Sequence, residues 1–139
     1  MLSRLQVKNY VLIDSLEIDF PEGLIIITGQ TGAGKSILMG ALGLVMGAKA
    51  DASMLSEGAE NCVVEAEFDV SPDDALLKSV MDENDVEWDD GHLIVRRVVN
   101  RSGRSRAFVN DSPISVQVLQ DISSQLIDVH SQQDRKSVV

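Results

Sequence analysis

Residues 29–36 read Gly-Gln-Thr-Gly-Ala-Gly-Lys-Ser, the pattern G-x-x-x-x-G-K-S of a phosphate-binding loop. The residues on either side agree with this interpretation. An apolar, β-branched run at 24–28 comes directly before the loop and predicts a buried central strand. Apolar residues at helical spacing follow it to about Met46, where Gly47 predicts a stop. Strand, glycine loop and helix in this order are the arrangement in which such a loop binds phosphate.

The expected chemistry divides among the residue types of this loop. Its glycines allow positive φ angles and a close backbone approach, so that successive N–H groups form an anion-binding nest. A helix beginning near Gly34 adds the positive end of its dipole. Lys35 supplies a full charge to the phosphates, and the Ser36 hydroxyl is placed to bind Mg²⁺. The residues predicted to hold the phosphates are Gly29, Gln30, Thr31, Gly32, Ala33, Gly34, Lys35 and Ser36.

Length and composition indicate one globular domain. The chain has 139 residues, of which 44% are hydrophobic and 24% charged. No apolar run approaches the length of a membrane span, so no membrane association is expected. The one cysteine, Cys62, excludes an internal disulfide and agrees with a reducing cytoplasm. We interpret Cys62 as a small buried hydrophobic residue rather than a nucleophile.

The charge of the chain is strongly acidic and unevenly placed. A formal net charge of −10 disfavours strong nucleic-acid binding by this chain alone, because phosphate neutralisation dominates such affinity. Acids crowd residues 69–90, and five arginines then follow within a short stretch. They are Arg96, Arg97, Arg101, Arg104 and Arg106. They form either a local basic edge or the solvated face of a hairpin, and the hairpin face is the favoured interpretation.

Alternation and turn residues predict the other elements. Strands are expected at residues 2–7, 12–20, 62–70, 92–100, 105–110 and 126–129, the first two as a hairpin. Further helices are expected at 71–84 and 116–125, the former with Ser71 as N-cap and Pro72 in its first position. Gly40 and Gly43 lie inside the helix after the loop, and we expect them to mark close packing against another element.

One part of a complete nucleotide-hydrolysing site is missing from the sequence. Such enzymes need an apolar strand that ends in an aspartate, which holds Mg²⁺, usually with a nearby glutamate. A carboxylate then polarises the attacking water. The nearest candidate is the segment 126–129 with Asp128, but only two apolar residues precede the acid. The chain is therefore expected to bind nucleotide phosphates and to lack the groups for efficient hydrolysis.

Five stretches of the sequence carry a family resemblance. They are Leu-Gln-Val-Lys-Asn-Tyr at 5–10, the run from Pro21 to Ser36, and the segments 41–50, 103–110 and 126–132. Together they resemble the heads of SMC-like, ABC-type ATPases, and within these the bacterial RecN family. The resemblance implies an α/β fold of the P-loop NTPase class. It implies the N-terminal lobe of an ABC/SMC head, a mixed sheet with antiparallel strands around a P-loop helix.

The resemblance further implies an ATPase assembled from separate parts. Residues 1–139 would be a partial head, from the P-loop to the glutamine loop, with the coiled coil and the C-terminal half of the head elsewhere. Lys35 and Gln132 would be the catalytic residues here, and Ser36 and Gln132 the Mg²⁺ ligands. Gln133 is the alternative register for the glutamine. Ser131 departs from the family pattern, in which many members have glycine before this glutamine.

What the resemblance implies about function follows from the same family. The cofactors would be ATP and Mg²⁺, and ATP would drive two heads to dimerise. The partners would be the C-terminal half of the same head, a second head in a homodimer, and DNA through the full-length protein. The expected role is DNA double-strand break repair and recombination, in the bacterial cytoplasm and associated with the nucleoid. The alternatives are an ABC transporter-type ATPase subunit and a nucleotide-binding module without activity alone.

Overall fold

One antiparallel sheet organises the described part of the chain. The structure is a computed structural model that describes residues 2–19, 32–71, 73–87 and 91–126. Within these residues, six strands pair in the order β2-β1-β3-β4-β5-β6, each antiparallel to its neighbour. The strands are β1 (Leu2–Tyr10), β2 (Ile13–Asp19), β3 (Asn61–Asp69), β4 (His92–Asn100), β5 (Ser105–Val109) and β6 (Ser112–Ile114).

Side-chain alternation explains why these segments are strands and which face they bury. In β3, residues Cys62, Val64, Ala66 and Phe68 are buried, whereas the residues between them are half-buried. In β4, every second residue from Leu93 onward is likewise buried. A period of two on paired strands gives the sheet one core face and one more accessible face. The predicted strands 62–70, 92–100 and 105–110 are therefore confirmed to within a residue at each end.

Tight turns join the hairpins of the sheet. β1 and β2 are joined by a two-residue turn, as the predicted hairpin requires. β4 and β5 are joined through residues 101–104, with Gly103 at a φ of +85°. Asn110 and Asp111 have φ values of +48° and +66° and join β5 to β6. Two consecutive positive φ angles are the mark of the turn type that matches strand twist, and Asn and Asp tolerate them best.

Three helices accompany the sheet in the described residues. They are α1 (Gly32–Val45), α2 (Ala75–Glu83) and α3, which covers residues 116–126; a 3₁₀ turn (Ala52–Met54) follows α1. Helix α1 begins slightly before the predicted start near Gly34. It ends as predicted, because Gly47 adopts a φ of +96° and its N–H donates to the carbonyl of Leu44 at 3.2 Å. The Ala48 N–H donates to the carbonyl of Gly43 at 2.9 Å, which completes a Schellman motif.

Three boundary predictions were wrong. The first strand, predicted at residues 2–7, continues to Tyr10. The N-cap of α2 is Asp74, whose Oδ1 accepts from the Leu77 N–H at 3.0 Å, and not Ser71. The Ser71 hydroxyl instead accepts from the Asp73 N–H at 3.2 Å, in the turn before the helix. Leu126 is helical rather than the start of a strand. The predicted strand at 24–28, Pro72 and the rest of the segment 126–129 lie outside the described residues.

The core joins one face of the sheet to the helices. Its buried residues include Ala41, Leu44 and Val45 of α1, Leu77 and Met81 of α2, and Leu119 and Ile122 of α3. Each helix buries residues spaced three or four apart, which is the stripe that a helix on a sheet presents. The chain thus has the α/β fold expected of an ABC/SMC-type head, with antiparallel strands around α1.

Candidate nucleotide-binding site

The phosphate-loop pattern meets the amino end of α1. Residues 32–36 form the first turns of this 14-residue helix, and no acidic residue lies in its first turn. The first N–H groups of a helix have no carbonyl partner within it and carry the positive end of the dipole. An anion at this end of α1 would be attracted by the free N–H groups and would not be repelled by a carboxylate of the first turn. Gly29, Gln30 and Thr31 lie outside the described residues, and the roles of Lys35 and Ser36 stay predictions.

Helix α1 lies against β3 and β4, close to the centre of the sheet. Tyr10, at the end of β1, reaches the helix at Gly40, where an added Cβ would overlap the Tyr10 hydroxyl oxygen. This position therefore requires glycine for space. Gly43 differs, because among the described residues a Cβ there would meet just the Ala48 Cβ, at an ordinary 3.7 Å. The expectation of close packing is confirmed for Gly40 and is wrong for Gly43.

The carboxyl end of α1 is bound by a buried arginine. Arg97 of β4 is 1% exposed, and its Nη1 donates to the carbonyls of Leu44 at 2.8 Å and Ala48 at 2.9 Å. Its Nη2 donates to the Ser105 hydroxyl at 2.9 Å. Burial lowers the pKa of the guanidinium. An arginine nevertheless keeps its charge at neutral pH, and the cation lies where the negative end of the α1 dipole is stabilised.

Arg97 corrects the interpretation of the arginine-rich stretch as a solvated face. Arg97 lies on the same face of β4 as Leu93, Val95 and Val99, because every second residue of this strand faces the core. This alternation could have identified it from the sequence. The stretch was interpreted by its charge instead, because arginines are rarely buried. Tyr10 was also missed as a contact of α1, and no local pattern links it to Gly40.

The other arginines of the stretch agree with the hairpin-face interpretation. Arg101, Arg104 and Arg106 are exposed. Arg96 lies on the opposite face of β4 from Arg97, with its guanidinium 4.7 Å from the Phe108 ring centre and 3.4 Å from the Asp111 carboxylate. Arg101 pairs with Glu60 at 3.5 Å. These exposed pairs contribute little to stability because water screens them.

Two titratable side chains beneath α1 are held neutral. Cys62 is fully buried, and burial raises the pKa of its thiol to about 11. It is therefore protonated at neutral pH and inert, as the sequence interpretation predicted. Burial, and secondarily the proximity of Cys62, raises the pKa of the Tyr10 phenol. Neither group places a negative charge near the helix that carries the phosphate-loop pattern.

Several predicted site residues fall beyond the described part of the chain. Gln132, its alternative Gln133, and Asp128 lie outside the described residues. Within the described ranges, no group of three or more His, Cys, Asp or Glu side chains could hold a metal ion. None of the helices in these ranges has the length and apolar character needed to cross a bilayer.

Known proteins resemble this chain along nearly its whole length. RecN, a DNA repair protein, is 39% identical over 132 residues in Vibrio cholerae, a match that covers 95% of this chain and 24% of the relative. RecN of Streptomyces coelicolor is 35% identical over 135 residues, covering 97% of this chain and 23% of the relative. The resemblance to RecN expected from the sequence is confirmed. The chain spans about a quarter of the length of these curated relatives.

Solved structures agree on the fold. An SMC ATPase studied for ATP-driven dimerization and DNA-stimulated activation superposes with a TM-score of 0.67 at 22% identity, covering 87% of this chain and 76% of that one. The recombination mediator protein RecF superposes with a TM-score of 0.61 at 17% identity, over 86% and 29% of the two chains. Residues 4–138 match the family model described as AAA domain. Because that match covers nearly every residue, the chain belongs to the AAA domain family.

Proposed function

We propose that this chain binds ATP and Mg²⁺ as part of the head of a RecN-type, SMC-like ATPase that acts in DNA double-strand break repair and recombination. The observation that carries the proposal is the pattern G-x-x-x-x-G-K-S at the amino end of α1, in a fold shared with SMC heads. The RecN relatives support the repair role, since they are named as DNA repair proteins.

Each residue of the pattern has a proposed task. The backbone N–H groups of residues 29–34 bind phosphate oxygens, and the α1 dipole adds to their attraction. Lys35 binds the outer phosphates, and Ser36 together with Gln132 would hold Mg²⁺. The ion would neutralise charge on the phosphates during transfer. Gln132 would hold the attacking water.

The remaining parts of the hydrolytic site are proposed to come from outside this sequence. On this proposal residues 1–139 form a partial head, and the C-terminal half of the head supplies the acid for Mg²⁺ and the base for water. Two such heads would dimerise around ATP, and the full-length protein would contact DNA at the nucleoid in the cytoplasm. The chain alone would then bind nucleotide and hydrolyse it negligibly.

Nucleotide titration of the purified chain tests the proposal. A fluorescent ATP analogue is titrated with and without Mg²⁺ into the wild type, Lys35→Ala, and Lys78→Ala as a control lysine exposed on α2. Removing a charged donor costs about 1.5–3 kcal/mol, so Lys35→Ala should weaken binding by about 10–100-fold. The control should leave Kd unchanged. Equal affinity of the wild type and Lys35→Ala would refute phosphate binding at this loop.

Hydrolysis needs a second experiment. The chain is mixed with the C-terminal half-head of the same protein, and phosphate release is followed. Turnover should require both parts and should be lost with Lys35→Ala. Substantial Lys35-dependent turnover by the chain alone would contradict the proposed division of the site.

A further inference from the structure

Side chains from two elements, β4 and α3, donate hydrogen bonds to the carboxyl end of α1. Besides Arg97, helix α3 contributes two donors. The Ser123 hydroxyl donates to the carbonyl of Val45 at 3.1 Å, and Ser123 is itself 5% exposed. The Gln120 side-chain amide donates to the carbonyl of Gly47 at 2.9 Å. We name Arg97, Gln120 and Ser123 the carbonyl clamp.

The clamp donates to carbonyls in the last turn of α1 and in the turn that follows it, where the helix itself supplies few donors. The four carbonyls it binds are those of Leu44, Val45, Gly47 and Ala48. Buried carbonyls without a donor are costly, so each clamp residue stabilises one particular placement of α1. Gly47 contributes space as well, because a Cβ there would overlap the Gln120 side chain and lie 3.3 Å from its backbone nitrogen.

The positive charge of Arg97 makes the position of α1 on the sheet specific. Arg97 forms no ion pair with any residue in the described ranges, and the helix-end carbonyls and Ser105 bind its Nη1 and Nη2, whereas its buried Nε has no hydrogen-bond partner there. A buried cation with this dependence fixes distance and orientation more strictly than apolar packing does. Sliding α1 along its axis would separate the guanidinium from both carbonyls at once.

The same helix carries the phosphate-loop pattern at its other end. From Ser36 to Leu44 the helix rises about 12 Å, at about 1.5 Å per residue. An α-helix transmits a displacement over this length, since its hydrogen bonds resist compression. Helix α3 in turn leads into the segment that carries Gln132. The clamp therefore joins α1, which begins within the phosphate-loop pattern, to α3, which precedes Gln132 in the chain.

We propose that Arg97, Gln120 and Ser123 are positioning residues of the nucleotide site. They hold α1 at one depth on the sheet and attach it to α3, so that residues 32–36 present their N–H groups at a fixed position on the sheet. This inference rests on the proposed function, because it concerns the affinity of the same site for ATP.

The test separates positioning from stability. Kd for a fluorescent ATP analogue with Mg²⁺ is measured for Arg97→Met, Arg97→Lys, Ser123→Ala and Gln120→Ala, at a temperature where each variant is fully folded by circular dichroism. Arg96→Met is the matched control, since Arg96 is adjacent in β4 but lies on the opposite face. Arg97→Met should weaken binding at least tenfold. Arg97→Lys, which keeps the charge, should recover part of that loss.

The milder variants and the control complete the expectation. Ser123→Ala and Gln120→Ala each remove one donor and should weaken binding about two- to fivefold, whereas Arg96→Met should stay within twofold. In a Lys35→Ala background, Arg97→Met should add less than a further twofold. Arg97 would act through the placement of Lys35, and coupled residues are non-additive. A purely structural role would lower the melting temperature and leave all these Kd values unchanged.

The outcomes are decisive in each case. Folded Arg97→Met that binds ATP as the wild type does would overturn the inference while leaving the proposed function intact. If Arg97→Met does not fold, the double variant of Gln120→Ala and Ser123→Ala decides, and an unchanged Kd in that variant overturns the inference. Absence of Lys35-dependent binding in the wild type would refute the proposed function, and the inference would fall with it.

Discussion

Replacing Gly40 by alanine tests the contact between β1 and α1. An alanine in place of glycine inside a helix ordinarily stabilises it by about 1 kcal/mol. At Gly40, however, the new Cβ would overlap the hydroxyl oxygen of Tyr10, which is 7% exposed, and would lie 3.3 Å from its ring Cζ. Forcing an extra carbon into a packed core costs about 1–3 kcal/mol. We therefore expect Gly40→Ala to lower the free energy of unfolding by about 1 kcal/mol.

Gly43→Ala is the matched control on the same helix. Within the described part of the chain its Cβ would meet the Ala48 Cβ alone, at an ordinary 3.7 Å, so the helix-propensity gain should appear undiminished. Gly43→Ala should therefore raise the free energy of unfolding by up to about 1 kcal/mol, which makes the contrast with Gly40→Ala about 2 kcal/mol. Urea unfolding followed by circular dichroism resolves a difference of this size.

A rescue variant identifies the clashing atom. Tyr10→Phe removes the overlapping oxygen, and the nearest ring atoms are then Cζ at 3.3 Å and Cε2 at 3.8 Å. Gly40→Ala in a Tyr10→Phe background should recover most of the loss, measured against Tyr10→Phe alone. If Gly40→Ala stabilises the chain as much as Gly43→Ala does, or if Tyr10→Phe makes no difference, the packing argument is wrong.

Two further predictions concern the N-cap of α2 and the buried thiol. Asp74→Ala should lower the free energy of unfolding by about 1 kcal/mol in urea unfolding, because it removes the N-cap of α2, whereas Ser71→Ala should change it by less than about 0.5 kcal/mol. The pKa of Cys62 is raised by burial to about 11 from 9.0, so the native state keeps a proton that the unfolded chain loses. The free energy of unfolding therefore has its full contribution from this thiol below about pH 9. It falls as the pH rises from about 9 to about 11, by up to about 2–3 kcal/mol in all. Cys62→Ala should flatten that fall in unfolding free energy measured across the same pH range, and an unchanged slope would contradict the assignment.

Local signals explain which elements could be predicted from the sequence. The β4–β5 hairpin follows from strand alternation and from Gly103, and the end of α1 follows from Gly47, whose positive φ the sequence anticipates. The start of α2 was predicted wrongly at Ser71, because serine and aspartate are both good N-caps and Asp74 is the residue that caps the helix. The residues that α2 buries against the core, Leu77 and Met81, lie within its first two turns, and this burial is a tertiary feature that the capping pattern does not contain.

The parts that could not be predicted depend on partners distant in sequence. Burying Arg97 is favourable only because the carboxyl end of α1, about 50 residues earlier in the chain, supplies carbonyls. Similarly, a glycine at position 40 in the sequence predicts that another element approaches the helix closely, but it does not identify that element as Tyr10 of β1. For the candidate site, the phosphate-loop pattern is local and can be identified from the sequence, whereas no local pattern links Gln132 to that loop.

The position of β1 between β2 and β3 has a consequence for how the chain folds. The pairs from Leu2↔Phe68 to Lys8↔Val63 join residues at least about 55 positions apart, and α1 lies in the loop that these pairs close. Closing such a loop is slow and entropically unfavourable until the packing of α1 compensates for it. A nucleotide that binds only to α1 in its packed state would therefore act as a folding ligand. If the proposed function holds, a nucleotide at a hundredfold excess over its Kd would raise the stability of the whole sheet by about 2.7 kcal/mol.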